Sequence, residues 1–242
     1  MEDGDWGDRV NPPLSIVVPV RNDGAALAGL APALLAWRDR GCEIIVVDGQ
    51  SRDDSAAVAR RCATHFIESP PGRARQMNAG ARKARSEWLC FLHADARLPV
   101  GSLEGWLGGR PFPEQAEWGC FSLRFDSDRL AYRLIAAGIN GRTRRTGIVS
   151  GDQALWVRRE CFERVGGFPE IPLMEDIEIS KRLQALGPPL ILPGPVLTTT
   201  RRFEQVRPLR LVLRMWRLRI AYAMGVPPAR LVAQYDPDYP RE

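Results

Sequence analysis

Three short apolar segments that each run into polar residues constrain this chain most. Ser15–Val20 (SIVVPV), Glu43–Asp48 (EIIVVD) and Trp88–Leu92 (WLCFL) are rich in β-branched and large apolar residues and lack a polar face. That is the pattern of strands buried on both sides. Between the first two, Ala25 to Arg40 carries Leu27, Leu30, Leu34 and Leu35 at helical spacing, so the opening of the chain reads as a βαβ unit. Ser55–Arg61 reads as a second helix, Phe66–Glu68 as a brief strand and Arg73–Ala84 as a third helix. The fold class that follows is α/β, with a mostly parallel central sheet covered by helices on both sides. Beyond Gly101 the alternation weakens. Strands at Trp118–Phe125 and Ala154–Val157, and a helix from Glu175 to about Leu186, remain legible.

Length and composition narrow the functional classes. At 242 residues and 45% hydrophobic content, the chain closes one sizeable core. Its five cysteines are widely spaced and form no CxxC pair, which points away from a zinc knuckle or a disulfide framework and toward a reducing cytoplasm. The segment Met1–Asp8 is acidic where a secretory leader would be basic and then apolar, and no apolar run approaches the roughly 18 residues of a membrane span. The expected location is therefore the cytoplasm, soluble or peripheral to the inner face of the membrane. A net charge of +5 suits nucleic acid, an anionic membrane or a phosphorylated ligand. Nucleic acid is the weakest of these, because the aromatics are not interleaved with the basic residues as a base-stacking platform requires.

In open α/β sheets, ligands bind beyond the carboxyl ends of the strands. Here those ends carry Pro19-Val20-Arg21-Asn22, Asp48-Gly49 followed by Ser51, Asp53 and Asp54, and His93-Ala94-Asp95. Asp48-Gly49 is equally a turn leading to the cap of the next helix, with glycine supplying the sharp bend. His93 and Asp95, alternating beyond an apolar strand, fall on one face, where a carboxylate can hold a hard divalent ion that also touches phosphate. Taken alone, Asp95 is as well explained as a solvated residue in a strand-terminal turn. Glu175 and Asp176 open a helix, where acids are favoured by capping and by the dipole. A carboxylate in that position can also serve as a general base.

Taken in order, five segments resemble the signature set of glycosyltransferase family 2 over roughly residues 14 to 205. They are SIVVPVRN, IVVDG with Ser51 and Asp53, GRARQMNAG at Gly72–Gly80, FLHAD ending at Asp95, and Glu175-Asp176. The wording of Gly72–Gly80, Gly151-Asp152-Gln153 and Ile171–Asp176 is further similar to a bacterial subgroup labelled arsenosugar-biosynthesis-type glycosyltransferases, a label that does not establish an acceptor. The resemblance implies a GT-A fold. It divides the chain into a flexible segment 1–13, a catalytic domain 14–205 (nucleotide-binding half 14–100, acceptor half 101–205) and a C-terminal helical segment 206–242.

The resemblance also implies roles. Asp48 matches the carboxylate that bonds the base of a nucleotide-diphosphate-sugar donor, a UDP-sugar in preference to a GDP-sugar. Pro19, Val20, Arg21, Asn22, Ser51, Arg75, Gln76 and Asn78 surround that nucleoside, with Ala94, Gly151 and Asp152 also on the donor. Asp95 matches the metal-ligating acid of the DxD motif, His93 replacing its first acid and standing as a second candidate ligand, with Mn2+ or Mg2+ expected. Asp176, with Glu175 beside it, matches the general base of inverting members. Arg201-Arg202-Phe203 lies where relatives carry an arginine-aromatic motif near the pyrophosphate. The acceptor is unspecified: a small molecule, a glycan or a lipid.

Two basic stretches stand outside this set. Arg142, Arg144 and Arg145, among Gly138, Gly141 and Gly147, read either as a mobile anion clamp or as a solvated loop. Arg207–Tyr222 reads as a basic amphipathic helix, with Arg210, Arg214 and Arg217 along one face and Leu209, Val212, Leu213, Trp216 and Ile220 along another. Packing over the sheet is the first expectation for it, and contact with an anionic membrane is the second. The competing functional classes are a retaining enzyme on the same fold and a sugar nucleotidyltransferase. The latter needs a glycine-rich loop and an activating lysine where this chain has Pro19–Gly24.

Overall fold

The computed structural model describes residues 12–103, 116–200 and 208–235. The expected βαβ beginning is present as β1 (Ser15–Val20), α1 (Gly24–Asp39), β2 (Glu43–Asp48), α2 (Ser55–Cys62), β3 (His65–Glu68), α3 (Arg73–Lys83) and β4 (Trp88–Phe91). Then follow β5 (Ala96–Arg97), β6 (Trp118–Phe125), α4 (Leu130–Thr146), β7 (Leu155–Arg158), α5 (Arg159–Arg164), α6 (Glu175–Gln184), β8 (Leu190–Thr198), α7 (Pro208–Ala223) and α8 (Pro228–Tyr235).

The strands form one sheet in the order β3-β2-β1-β4-β7-β6-β8-β5. The first four are mutually parallel, β7 is antiparallel to both β4 and β6, and β6 and β8 are parallel again. Both halves of the chain therefore share a sheet, and β5, from the N-terminal half, pairs with β8 at its far edge. Because β2 lies to one side of β1 and β4 to the other, the chain reverses its direction of progress between β1 and β4, which is where such sheets bind ligands.

The apolar strands are buried on both faces, as their composition requires. Ile16, Val18, Ile44 and Val46 pack toward α1 and α2, with Leu27, Leu30, Leu34 and Trp37 lining the inner stripe of α1. Val17, Ile45 and Val47 pack the other way, against Ala74, Met77 and Ala81 of α3. Burying a side chain of this size contributes about 1.5–3 kcal/mol, so the strand registers are strongly held. Gly80 lets α3 approach closely: a Cβ there would lie 2.4 Å from Val17 Cγ1 and 3.1 Å from Val47 Cγ2.

Two sequence expectations need correction. The stretch around Arg142, Arg144 and Arg145 is no loop but the C-terminal part of α4, ended by Gly147 in the left-handed region (φ 65°). The interior glycines of this helix conceal it in the sequence. Gly49 also supplies no unusual backbone: the left-handed residue is Gln50 (φ 62°), and Gly49 is needed because a Cβ would meet the Gln76 amide at 2.9 Å.

Candidate active site

The carboxyl ends of β2, β1 and β4 lie side by side, with Val20 opposite Asp48 in the parallel register. Asp48 is 3% exposed. Its Oδ2 accepts the Ser51 N–H at 2.9 Å, and its buried Oδ1 has no hydrogen-bond partner. Asn22, at φ 49°, links the two loops: its N–H donates to Ser51 Oγ and its Oδ1 accepts from the Arg52 N–H at 2.8 Å. Asp53 ties the starts of α1 and α2 together by accepting from the N–H groups of Gly24 and Ser55. Arg21 is exposed at the rim, while Pro19 is buried within β1.

Two of the expected donor residues serve as fasteners. Gln76, 4% exposed, donates through Nε2 to both the Val20 and Val47 carbonyls at 2.8 Å, latching the ends of β1 and β2 to α3. Asn78 donates through Nδ2 to the Phe168 carbonyl at 2.8 Å and accepts the Phe168 N–H through Oδ1 at 3.0 Å. Arg75 reaches Glu170 on the same loop, Nε to Oε2 at 3.2 Å. The α3 segment therefore joins the ends of β1 and β2 to the loop before α6.

β4 ends at Phe91, so strand alternation does not position His93 and Asp95; residues 94–95 form a turn in which the Ala96 N–H donates to the His93 carbonyl. Ala94 is buried and Asp95 half-buried. His93 turns toward the segment 150–152: its Nδ1 lies 3.3 Å from Asp152 Oδ1, and a Cβ on Gly151 would come within 2.7 Å of its Cε1.

That segment meets the acids of α6. The Gly151 N–H donates to Asp176 Oδ2 at 3.2 Å, and the Val149 N–H to Ser180 Oγ at 3.1 Å. Asp176 Oδ1 also accepts the Ile177 N–H, so the start of the helix fixes the carboxylate. Met174, left-handed at φ 72°, turns the chain into α6. His93, Gly151, Glu175 and Asp176 border one small cavity, with Met77, Phe91 and Phe168 among its apolar walls. Glu175 is buried and paired with Arg73 (Nη1 to Oε1, 3.5 Å). Burial pushes its carboxyl above the ordinary range, Arg73 opposing and Asp176 adding to the effect.

Three arginines lie around these acids, and of them the sequence offered only Arg142, as one reading of a basic stretch. Arg73 pairs with Glu175, Arg219 Nη2 stands 3.8 Å from Asp176 Oδ2, and Arg142 Nη2 donates to Ser150 Oγ at 2.6 Å. Desolvation, followed by the like charge of Arg219, pushes Arg142 down to about 10. The available signal was that Arg219 falls outside the row formed by Arg210, Arg214 and Arg217. Arg201 and Arg202 lie outside the described residues. All five cysteines are buried and free.

The model of the family described as Glycosyl transferase family 2 matches residues 15–144, just over half of the chain. An uncharacterized protein of Mycobacterium tuberculosis is 33% identical over 98 residues, covering 38% of this chain and 31% of the relative. An uncharacterized glycosyltransferase of Mycobacterium bovis is 32% identical over 91 residues, covering 37% and 40%. The matches thus span less than half the length of these curated relatives. Among solved structures, a mannosyltransferase from Pyrobaculum calidifontis in complex with GDP-Man and Mn2+ has a TM-score of 0.62 at 20% identity, over 96% of this chain and 66% of that one. Residues 1–349 of TarS from S. aureus, in complex with UDP-GlcNAc, give 0.58 at 16% identity, over 77% and 58%. At such identities the likeness concerns the fold, which is GT-A, and the family match over β1 to α4 carries the conclusion: this chain belongs to glycosyltransferase family 2.

Proposed function

We propose that the chain transfers a sugar from a nucleotide-diphosphate-sugar donor to an acceptor hydroxyl with inversion at the anomeric carbon, Asp176 acting as general base. The carrying observation is that one cavity joins His93, two residues past the end of β4 and two before Asp95, with Asp176 at the start of α6. The assigned base thus shares a cavity with the residue that opens the His93–Asp95 turn, beyond the carboxyl end of β4. A UDP-sugar is the first candidate donor and a GDP-sugar the second; the two solved relatives above hold one of each. The buried, unpartnered Oδ1 of Asp48 suits an N–H from the nucleotide base, which would remove the cost of leaving that oxygen unsatisfied.

The donor set fits a hard divalent ion. The Asp95 carboxylate has no hydrogen-bond or ion-pair partner among the described residues, and no group of three or more His, Cys, Asp or Glu side chains gathers among them. Mg2+ and Mn2+ commonly bind through one or two carboxylates together with substrate phosphates, so Asp95 alone suffices on the protein side. When bound, the ion would offset the charge of the departing nucleoside diphosphate. With Nδ1 facing Asp152, His93 supports the segment 150–152.

Asp176 is held by the Gly151 and Ile177 N–H groups and faced by Arg219, which orients the carboxylate to accept the acceptor's proton. Glu175, buried and fastened to Arg73, maintains the helix start. The test has two arms. In a thermal-shift screen of UDP- and GDP-sugars with and without Mn2+, the wild type gains stability from one donor and Asp95→Ala loses the Mn2+-dependent part of the gain. Asp176→Asn keeps donor binding and lowers turnover by roughly 10²–10⁴-fold. Full turnover in Asp176→Asn, or an α-linked product from an α-linked donor by NMR, would remove Asp176 from the role of base.

A further inference from the structure

α7 is two-faced in a way the fold does not require. Leu218 is buried with Leu173, Met174 and Ile177 of the α6 region, and Met215, Ala221 and Tyr222 pack around them. On the opposite side Leu213, Trp216, Ile220 and Met224 are 55%, 59%, 51% and 73% exposed. Met224 continues the helical turn, since its N–H donates to the Ile220 carbonyl. At 100° per residue these four side chains fall within ~80° of the helix circumference, a continuous apolar stripe. Single exposed apolar residues are ordinary, but an aligned row of four large ones marks a contact surface.

The charge beside the stripe selects the occupant. Arg210 and Arg217 are exposed along one edge of the row. Residues 208–235 contain five arginines and no acid; the remaining 29 Lys and Arg are matched by 29 Asp and Glu, so this segment holds the whole formal charge of +5. Extending the count to residues 201–242 gives nine arginines against four acids, the same +5. A second copy of the chain would bring arginines against arginines, whereas an anionic lipid surface complements both the apolar stripe and its charged edge.

We propose that α7 docks the protein on an anionic membrane surface, with Leu213, Trp216, Ile220 and Met224 entering the headgroup boundary and Arg210 and Arg217 meeting lipid phosphates. The docking stands apart from the chemistry assigned above. It has one consequence for it: Arg219 of the same helix faces Asp176, so the docked helix adjoins the cavity where an acceptor would enter.

The test is flotation of the purified chain with vesicles of phosphatidylglycerol and phosphatidylcholine, against phosphatidylcholine alone. The protein should float with the anionic vesicles only, and less so as salt rises. Arg210→Gln/Arg217→Gln should lower partitioning on the order of 20-fold, from roughly fivefold per arginine. Leu213→Ser/Trp216→Ser should lower it at least tenfold while circular dichroism and melting stay as in the wild type. Arg214 and Arg219 are left intact because the first donates to the Tyr235 carbonyl and the second faces Asp176. Failure to float on anionic vesicles, equal binding to neutral ones, or a wild-type dimer that Leu213→Ser/Trp216→Ser dissolves would each overturn the proposal. The readout needs no donor, so its failure is separable from failure of the transferase reading.

Discussion

Asn78→Ala distinguishes a residue that touches substrate from one that holds the pocket together. The Asn78 side chain is 9% exposed and satisfies both the N–H and the carbonyl of Phe168, at 3.0 and 2.8 Å. Its removal orphans two backbone groups of Phe168, whose ring is stacked edge-on against Phe91 at 4.9 Å. Each unsatisfied group costs about 1–3 kcal/mol, and a water entering the vacated space offsets part of that, so the loss should be about 2–4 kcal/mol. For a domain of this size that lowers Tm by roughly 5–15 °C. Thermal and urea unfolding followed by circular dichroism measure the loss, and UDP or GDP binding to the folded variant at low temperature measures the site. Asn78→Asp, which keeps the acceptor but turns the donor into an oxygen facing a carbonyl, should be at least as damaging. If Asn78→Ala leaves Tm unchanged but abolishes nucleotide binding, Asn78 is a donor contact and the fastening argument is wrong.

Glu175→Gln should alter the pH dependence of stability. Burial raises the Glu175 carboxyl from its ordinary 4.5 in the folded state. Between that value and the raised one the folded chain therefore binds more protons than the unfolded chain, and the group's contribution to stability falls as pH rises. In the variant the slope of Tm against pH above about 4.5 should flatten by that contribution; an unchanged slope would refute the assignment. Gly80→Ala should destabilise by about 1–3 kcal/mol in urea unfolding, because the added Cβ meets Val17 at 2.4 Å. Relief of the ~1 kcal/mol that glycine costs a helix interior is the opposing effect, and a stabilised variant would show that α3 can lift off the sheet at no expense.

How far the sequence could be read follows from which physical signal each element carries. β1, β2 and β4 are legible because strands covered on both faces must be apolar at every position, and Asp48, His93 and Asp95 stand out by ending those runs. α4 is obscured by Gly138 and Gly141, whose low helix propensity is overridden by Tyr132 and Ala136 packing on Leu123 and Phe125. β8 is hidden by Pro193, Gly194 and Pro195; it pairs with β6 only through a register shift between Phe121 and Leu123. The polar residues at the strand ends could be named from the sequence, and their hydrogen-bond partners could not. Nothing in the sequence says that Gln76 bonds two strand carbonyls, or that Arg219 reaches Asp176 from a helix more than 40 residues later.

The segment from Ser150 to Gln153 is also the least tolerant of a change in length. Its four residues answer to four different places: Ser150 to Arg142, Gly151 to Asp176, Asp152 to His93, and Gln153 to Thr143 and the Phe121 carbonyl. Inserting or deleting one residue would misdirect all of these contacts at once, whereas a substitution disturbs one. Natural variation among chains of this kind should therefore exchange side chains here while conserving the count, and differences in length should accumulate at the turns away from the pocket.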